Sequence, residues 1–164
     1  MSGIIGGAGS RSGIISIGGS NAPAYSAYRS ASFDPGTTGS WYNIYCDTEY
    51  FDSHGKYNTS TGIFKPEVYG KYFLTAHVGW TTQLLDNSEY HMRITDHTDT
   101  IVAYSVIWRG VGPNDPRHLE CSCIVNGNGS TSYWQAAAYQ TSHPDTVIYG
   151  GVFGSRFSGF KLDL

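Results

Sequence analysis

Leucine, lysine and glutamate are scarce in this chain, and no stretch sustains the apolar periodicity of an amphipathic helix. That excludes a helical bundle. Long apolar runs are missing too: the longest fall far short of the roughly 18 residues that suggest a membrane span, so no membrane insertion is expected. There is no clustered basic run, and the formal charge is −3, which argues against nucleic acid as a partner. Cysteine is limited to three residues, Cys46, Cys121 and Cys123. An odd number is a poor disulfide framework. Cys121 and Cys123 stand two apart, on one face of a strand, with no second pair at zinc-like spacing. They read as small buried apolar side chains, and a bridge from Cys46 to one of them stays open for an extracellular chain. The first residues lack the continuous apolar core of a secretory signal, since Gly, Ser and Arg11 interrupt them. Ser2 stands where myristoylation requires glycine. The expectation is synthesis in a cytoplasm without a recognisable export route.

What is present points to sheet. Thirteen Tyr, seven Phe, four Trp and 21 Gly suit pleated, half-buried surfaces joined by tight turns. The chain has 164 residues, one domain's worth, and a domain of that size buries roughly 70% of its unfolded surface without help from disulfides or metals. From Pro23 onward, short segments alternate between apolar and polar residues, as β-sandwich strands do. Tyr72, Leu74, Ala76, Val78 and Trp80 share one face, opposite Thr75, His77 and Gly79. Val102, Tyr104, Val106 and Trp108 align, as do Leu119, Cys121, Cys123 and Val125. Such alternation marks strands with one buried face. Asn126-Gly127-Asn128-Gly129 reads as a hairpin turn between two such runs, and residues 110–116 read as a loop. In 155–164, Ser158, Phe160, Leu162 and Leu164 alternate with Phe157, Gly159, Lys161 and Asp163.

Signatures of catalysis are absent: no nucleophile elbow, no His-Glu-x-x-His and no phosphate-binding glycine loop. The six histidines are dispersed. The run Ile94–Thr100, with Asp96, His97 and Asp99, fits no zinc spacing and reads as a polar turn. Glu49, Glu67, Glu89 and Glu120 are the glutamates from which a glycosidase pair would have to come, and nothing in the sequence pairs them. Neither enzymatic activity nor a cofactor is expected. Asn58 and Asn128 head Asn-x-Ser/Thr sequons, which matter only in a secreted chain.

Several segments carry a family likeness. Phe157-Ser158-Gly159-Phe160 followed by an aliphatic strand resembles the last strand of the C1q-like domain, the jelly roll shared by complement C1q and the tumour necrosis factor superfamily. Residues 23–33, PAYSAYRSASF, resemble that family's first strand. Tyr57, Thr61, Gly62, Phe64, Pro66, Gly70, Tyr72 and Phe73 are similar to its central Thr-Gly-x-Phe, Pro and Gly-x-Tyr-x-Phe block. Thr-Gly turns the chain into Phe64, Pro66 ends that short strand, and Gly70 opens the long one. The middle departs from the family: 130–139, STSYWQAAAY, stands where a Gly-Asp-x-Val stretch is usual.

The resemblance implies an all-β, C1q/TNF-like jelly-roll sandwich over 23–164 and a compact homotrimer joined by aromatic and apolar side chains near a threefold axis. Tyr42, Tyr45, Tyr133, Trp134 and Tyr139 are the candidates for that seam. Some C1q-like domains bind calcium through acidic loops. Asp86, Asp96, Asp99 and Asp115 are the oxygens available here, and no metal is expected on them.

Residues 1–22 form a separate unit, a Gly/Ser/Ile arm in which only Arg11 is charged and Ser2–Gly6 nearly recurs as Ser12–Ser16. A flexible linker would carry no Ile-Ile pairs. Ile4, Ile5, Ile14, Ile15 and Ile17 would form an exposed apolar patch, so the arm reads as an anchor that orders on a partner. Its runs resemble the N-termini of bacteriophage structural proteins. The resulting expectation is a virion fibre, capsid decoration or tail-attached protein. Its arm would dock on a capsid or tail protein, and its head would adhere to a host surface or glycan. The alternative is a secreted, extracellular C1q/TNF-like adhesion or signalling module.

Overall fold

A computed structural model describes residues 22–35, 39–80, 88–108, 118–141, 148–151 and 153–162. The five arm isoleucines, Asp86, Asp115 and the 110–116 loop lie outside these residues. Among the described residues there is no helix, and eleven strands make two antiparallel sheets. In chain order they are β1 (Ala24–Tyr28), β2 (Tyr42–Asn43), β3 (Thr48–Asp52), β4 (Tyr57–Asn58), β5 (Ile63–Phe64), β6 (Tyr69–Gly79), β7 (Glu89–Asp96), β8 (Ile101–Trp108), β9 (His118–Asn128), β10 (Trp134–Gln140) and β11 (Arg156–Leu162). The first sheet runs β3-β1-β11-β6-β9; the second runs β4-β5-β10-β7-β8, with β2 also on β10. β1 and β11 are neighbours, with Ala24 opposite Phe160, and the Lys161 N–H donates to the Pro23 carbonyl at 3.1 Å.

The core lies between the sheets, and on β6 and β9 the inward residues are those the alternation predicts. On β6, Tyr72, Leu74, Ala76 and Val78 are buried, with Trp80 just beyond. On β9, Leu119, Cys121, Cys123 and Val125 point inward. Phe157 and Gly159 do so on β11. Aromatic rings fill the centre: Tyr25 stacks on Tyr57 at 4.8 Å, lies 4.2 Å from Phe64 and meets Phe157 edge-on. Such pairs add to the gain from burial alone. Gly159 makes this possible, because a Cβ there would come within 2.9 Å of the Tyr25 ring and 2.6 Å of Leu74. Gly62, at φ +71°, takes the left-handed turn that delivers Phe64 to the core.

Two expectations are corrected. On β8 three of the four aligned residues are turned outward: Tyr104, Val106 and Trp108 are exposed, and only Val102 packs against the core. Cross-strand register explains it, since Tyr90, Met92 and Ile94 of β7 are fully buried and their partners are Ile107, Ser105 and Ala103. Partners directly opposite share a face, so the smaller residues of β8 go inside. The Asn-Gly run joins no hairpin either. β9 pairs with β6 and β10 with β7, so the connection crosses from one sheet to the other. The Asn128 side-chain oxygen closes the crossing by accepting the N–H groups of Ser130, Thr131 and Ser132.

All three cysteines are free, so Cys46 is unpaired. Burial first of all pushes the Cys46 and Cys121 thiols up to about 12 and Cys123 to about 11, far from the thiolate form that reacts or binds metal.

Candidate functional site

The five aromatic residues proposed for an intersubunit seam do not form one patch. Trp134 is 2% exposed and packs on Tyr72 and Phe64 inside its own sandwich; it is a core residue and offers nothing to a second chain. Tyr42 meets Phe33 edge-on beside that core. Tyr133 is half-buried against His97. Tyr45 is exposed, and its carbonyl accepts from Arg29 at 3.1 Å. Tyr139 faces out from the second sheet, 5.4 Å from Trp41.

A separate group of apolar side chains lies on the outer face of the first sheet. Register brings Ala24, Phe160, Phe73 and Ile124 into one row across β1, β11, β6 and β9. Phe73 and Phe160 touch at 5.5 Å, and Ile124 is 62% exposed. The next row is small and hydroxylated: Ser26, Ser158, Thr75 and Ser122, with exposed Phe51 at its β3 end. Ser26 and Ser158 share a hydrogen bond at 2.8 Å, which satisfies those hydroxyls within the sheet. A third row holds Tyr28, Arg156, His77 and Glu120, with Tyr50 packed on Tyr28.

Beside this third row is a hollow of about 240 Å³ lined by His77, Glu120, Phe153 and Arg156. His77 stacks on His118 at 5.0 Å, and its Nδ1–H donates to the Gly154 carbonyl at 2.8 Å. A carbonyl only accepts, so that bond fixes the tautomer.

The outer face of the second sheet is different in kind. Glu89 accepts from His91 Nε2 at 2.8 Å, and the Tyr104 hydroxyl meets His91 Nδ1. Desolvation first, and the Glu89 carboxylate second, hold the Tyr104 phenol above its ordinary range. The Arg93 guanidinium lies 4.2 Å over the Trp41 ring and 3.8 Å from Asp99.

The acidic oxygens serve turns. Asp96 accepts from Thr98 and Thr100. Burial alone would raise its carboxyl, but these bonds hold it below the usual range. Among the described residues no group of three or more His, Cys, Asp or Glu is placed to hold a metal. Glu67 bridges Lys56 and Lys65 on the surface.

Sequence reasoning missed Phe73, Phe160 and Ile124. The available signal was two phenylalanines on the otherwise polar sides of β6 and β11.

No protein-family model and no curated protein matches the sequence. Solved structures do match it. Crystal structures of murine APRIL at pH 8.5 and at pH 5.0 each superimpose with a TM-score of 0.58, at 6% and 8% identity respectively. A third, at pH 8.0, gives 0.56 at 7% identity. Each match covers 85% of this chain and 98% of the other. The fold is the C1q/TNF-like jelly roll, reached with almost no shared sequence.

Proposed function

We propose that the chain is a non-enzymatic assembly and display module, a homotrimer of jelly-roll heads whose first sheet faces the threefold axis. The observation that carries this is the row Ala24–Phe160–Phe73–Ile124, together with exposed Phe51 and Tyr50. A lone head leaves Ile124, Phe51 and Tyr50 exposed on that face and Phe73 and Phe160 half-buried, and apolar side chains gathered on one face mark an interface. Closed cyclic assembly covers it once per protomer and leaves no open end to polymerise. C1q-like domains, which the sequence resembles, associate through such side chains.

The arm gives the module its place. Its two Ser-Gly-Ile-Ile segments supply apolar anchors diluted by glycine, suited to lying along another protein's backbone. In this reading the arm docks on a capsid or tail protein of a bacteriophage virion and the head projects to adhere to a host surface or its glycans. The secreted alternative draws on the sequons. Yet Asn58 and Asn128 have structural work in their turns, Asn58 accepting from Ser60 and Thr61 and Asn128 donating to Thr131.

Light scattering on the full chain and on Ile124→Glu tests the assembly. The expected masses are three chains and one chain, with identical far-ultraviolet spectra. A monomeric parent overturns the proposal. Peptide mapping of purified virions from the source tests the location, and absence of the chain there removes the phage reading. Glycan found on Asn58 or Asn128 would favour the secreted module.

A further inference from the structure

The outer face of the second sheet, which a trimer closed on its first sheet leaves in solvent, carries a site of its own. Trp108 is 70% exposed and stands directly opposite Glu89 across β8 and β7. Val106 stands opposite His91, and Tyr104 opposite Arg93. Beyond His91 in the same direction lie Tyr139 and then Trp41, with the His91 ring 5.0 Å from Tyr139 and 6.1 Å from Trp41. Aromatic surface and hydrogen-bonding groups therefore alternate across one face.

The polar groups are held in fixed roles. Glu89 Oε2 can only accept, so His91 Nε2 carries a proton and donates at 2.8 Å. In the neutral ring Nδ1 is then the acceptor, and the Tyr104 hydroxyl donates to it. This leaves the other Glu89 oxygen and the second lone pair of Tyr104 Oη without a hydrogen bond among the described residues. Arg93 Nε is buried with no acceptor there either, and the guanidinium is pinned over Trp41. The face offers acceptors beside donors and carries both signs of charge, the Glu89 and Asp99 carboxylates beside the Arg93 guanidinium.

Each ligand class meets this face differently. An anion would confront Glu89 and Asp99, and a cation would confront Arg93. A purely apolar partner would strip water from the Glu89 carboxylate without replacing its hydrogen bonds, at a large desolvation cost. A neutral ligand with an apolar face and a rim of hydroxyls fits both halves: its C–H face lies on an aromatic ring while its hydroxyls bond to carboxylate, phenol and guanidinium.

We propose that Trp108, Tyr104, Glu89, His91, Arg93 and Trp41 form a binding site for a neutral saccharide. The pyranose ring stacks on Trp108, and two adjacent hydroxyls donate to Glu89. This deepens the adhesion reading and rests on the trimer only for valency, since each protomer carries the whole site. One such site binds weakly, and repeated copies convert weak binding into firm attachment.

The test is a titration of the ¹⁵N-tryptophan-labelled full chain with cellobiose and with lactose, followed at the four indole N–H resonances. Trp80 and Trp134 are each 2% exposed and serve as internal references. The expected result is a saturable shift of the Trp108 indole, with a smaller one at Trp41, at concentrations on the order of millimolar, while the references stay still. Glu89→Gln should keep the His91 contact and weaken binding by about tenfold, and Tyr104→Phe by less. No saturable shift with either disaccharide overturns the proposal. So does a shift that Glu89→Gln leaves undiminished, because the carboxylate is then not reading hydroxyls. Light scattering on the same samples separates this outcome from failure of the trimer.

Discussion

The two sheets of this sandwich meet solvent in different ways. On the first, Phe73, Phe160 and Ile124 form a row that no charged or hydrogen-bonding group interrupts. On the second, each ring is tethered to a polar neighbour: Tyr104 to His91, Trp41 to Arg93, and Trp108 across from Glu89. Both faces are aromatic, and aromatic content alone would rank them as equals. The difference lies in what accompanies the rings. An apolar row that makes no hydrogen bond or ion pair of its own gains by being covered, even beside the serine and threonine row. Rings interleaved with ion pairs and hydrogen bonds would lose those bonds' hydration if covered, so they favour a wet face and a polar ligand.

Substitutions can break this contrast. The largest effect belongs to neither face: Trp134→Ala should cost about 3–5 kcal/mol in urea unfolding, because Trp134 is packed between Tyr72 and Phe64. A variant that lost mass while keeping its unfolding midpoint would instead restore Trp134 to the seam. Next comes charge placed on each face in turn. Ile124→Glu should reduce the assembly to single chains, whereas Val106→Glu, on the other face and 41% exposed, should leave the mass unchanged. Equal responses would mean that the two faces are not distinct.

Acid offers a smaller effect. Burial by itself would raise the Asp47 carboxyl. Hydrogen bonds from Ser30 and Thr48, with Arg29 nearby, hold it below its ordinary value instead. A depressed carboxylate stabilises the fold fully above its unfolded pKa of about 3.9. That contribution fades as pH falls through the lower folded value. Asp47→Asn should therefore flatten the acid limb of the stability curve below about pH 4 and leave stability at pH 7 slightly reduced. Smallest of all is Tyr45→Ala. Its side chain is 37% exposed, and thermal unfolding should place the change within about 0.5 kcal/mol.

Much of the fold was legible because β6 and β9 each place most of their apolar residues on one side. Tyr72, Leu74, Ala76 and Val78 alternate with smaller or polar neighbours, so period two names the core face. β8 defeats that logic. It is apolar on both sides, and the choice is made by Tyr90, Met92 and Ile94 on β7, which only register reveals. Asn-Gly likewise signals a turn and not the sheet its flanking strands will join. The candidate interface was harder still. Residues 24, 73, 124 and 160 are scattered along the chain, and four strands must pair before they become one row. Aromatic abundance and the family likeness directed attention to Trp134 and Tyr42, because composition records how many rings there are and not which way they point.

The pairing of β1 with β11 has a practical side. Ala24 sits opposite Phe160, and Lys161 bonds back to Pro23. Residues 23–24 and 160–161 therefore sit at the same rim of the head. A cargo, a dye or a second protein grafted to either side would hang from that one pole and leave the opposite end of the sandwich clear. The head could therefore be exchanged as a cassette without rerouting the chain that carries it.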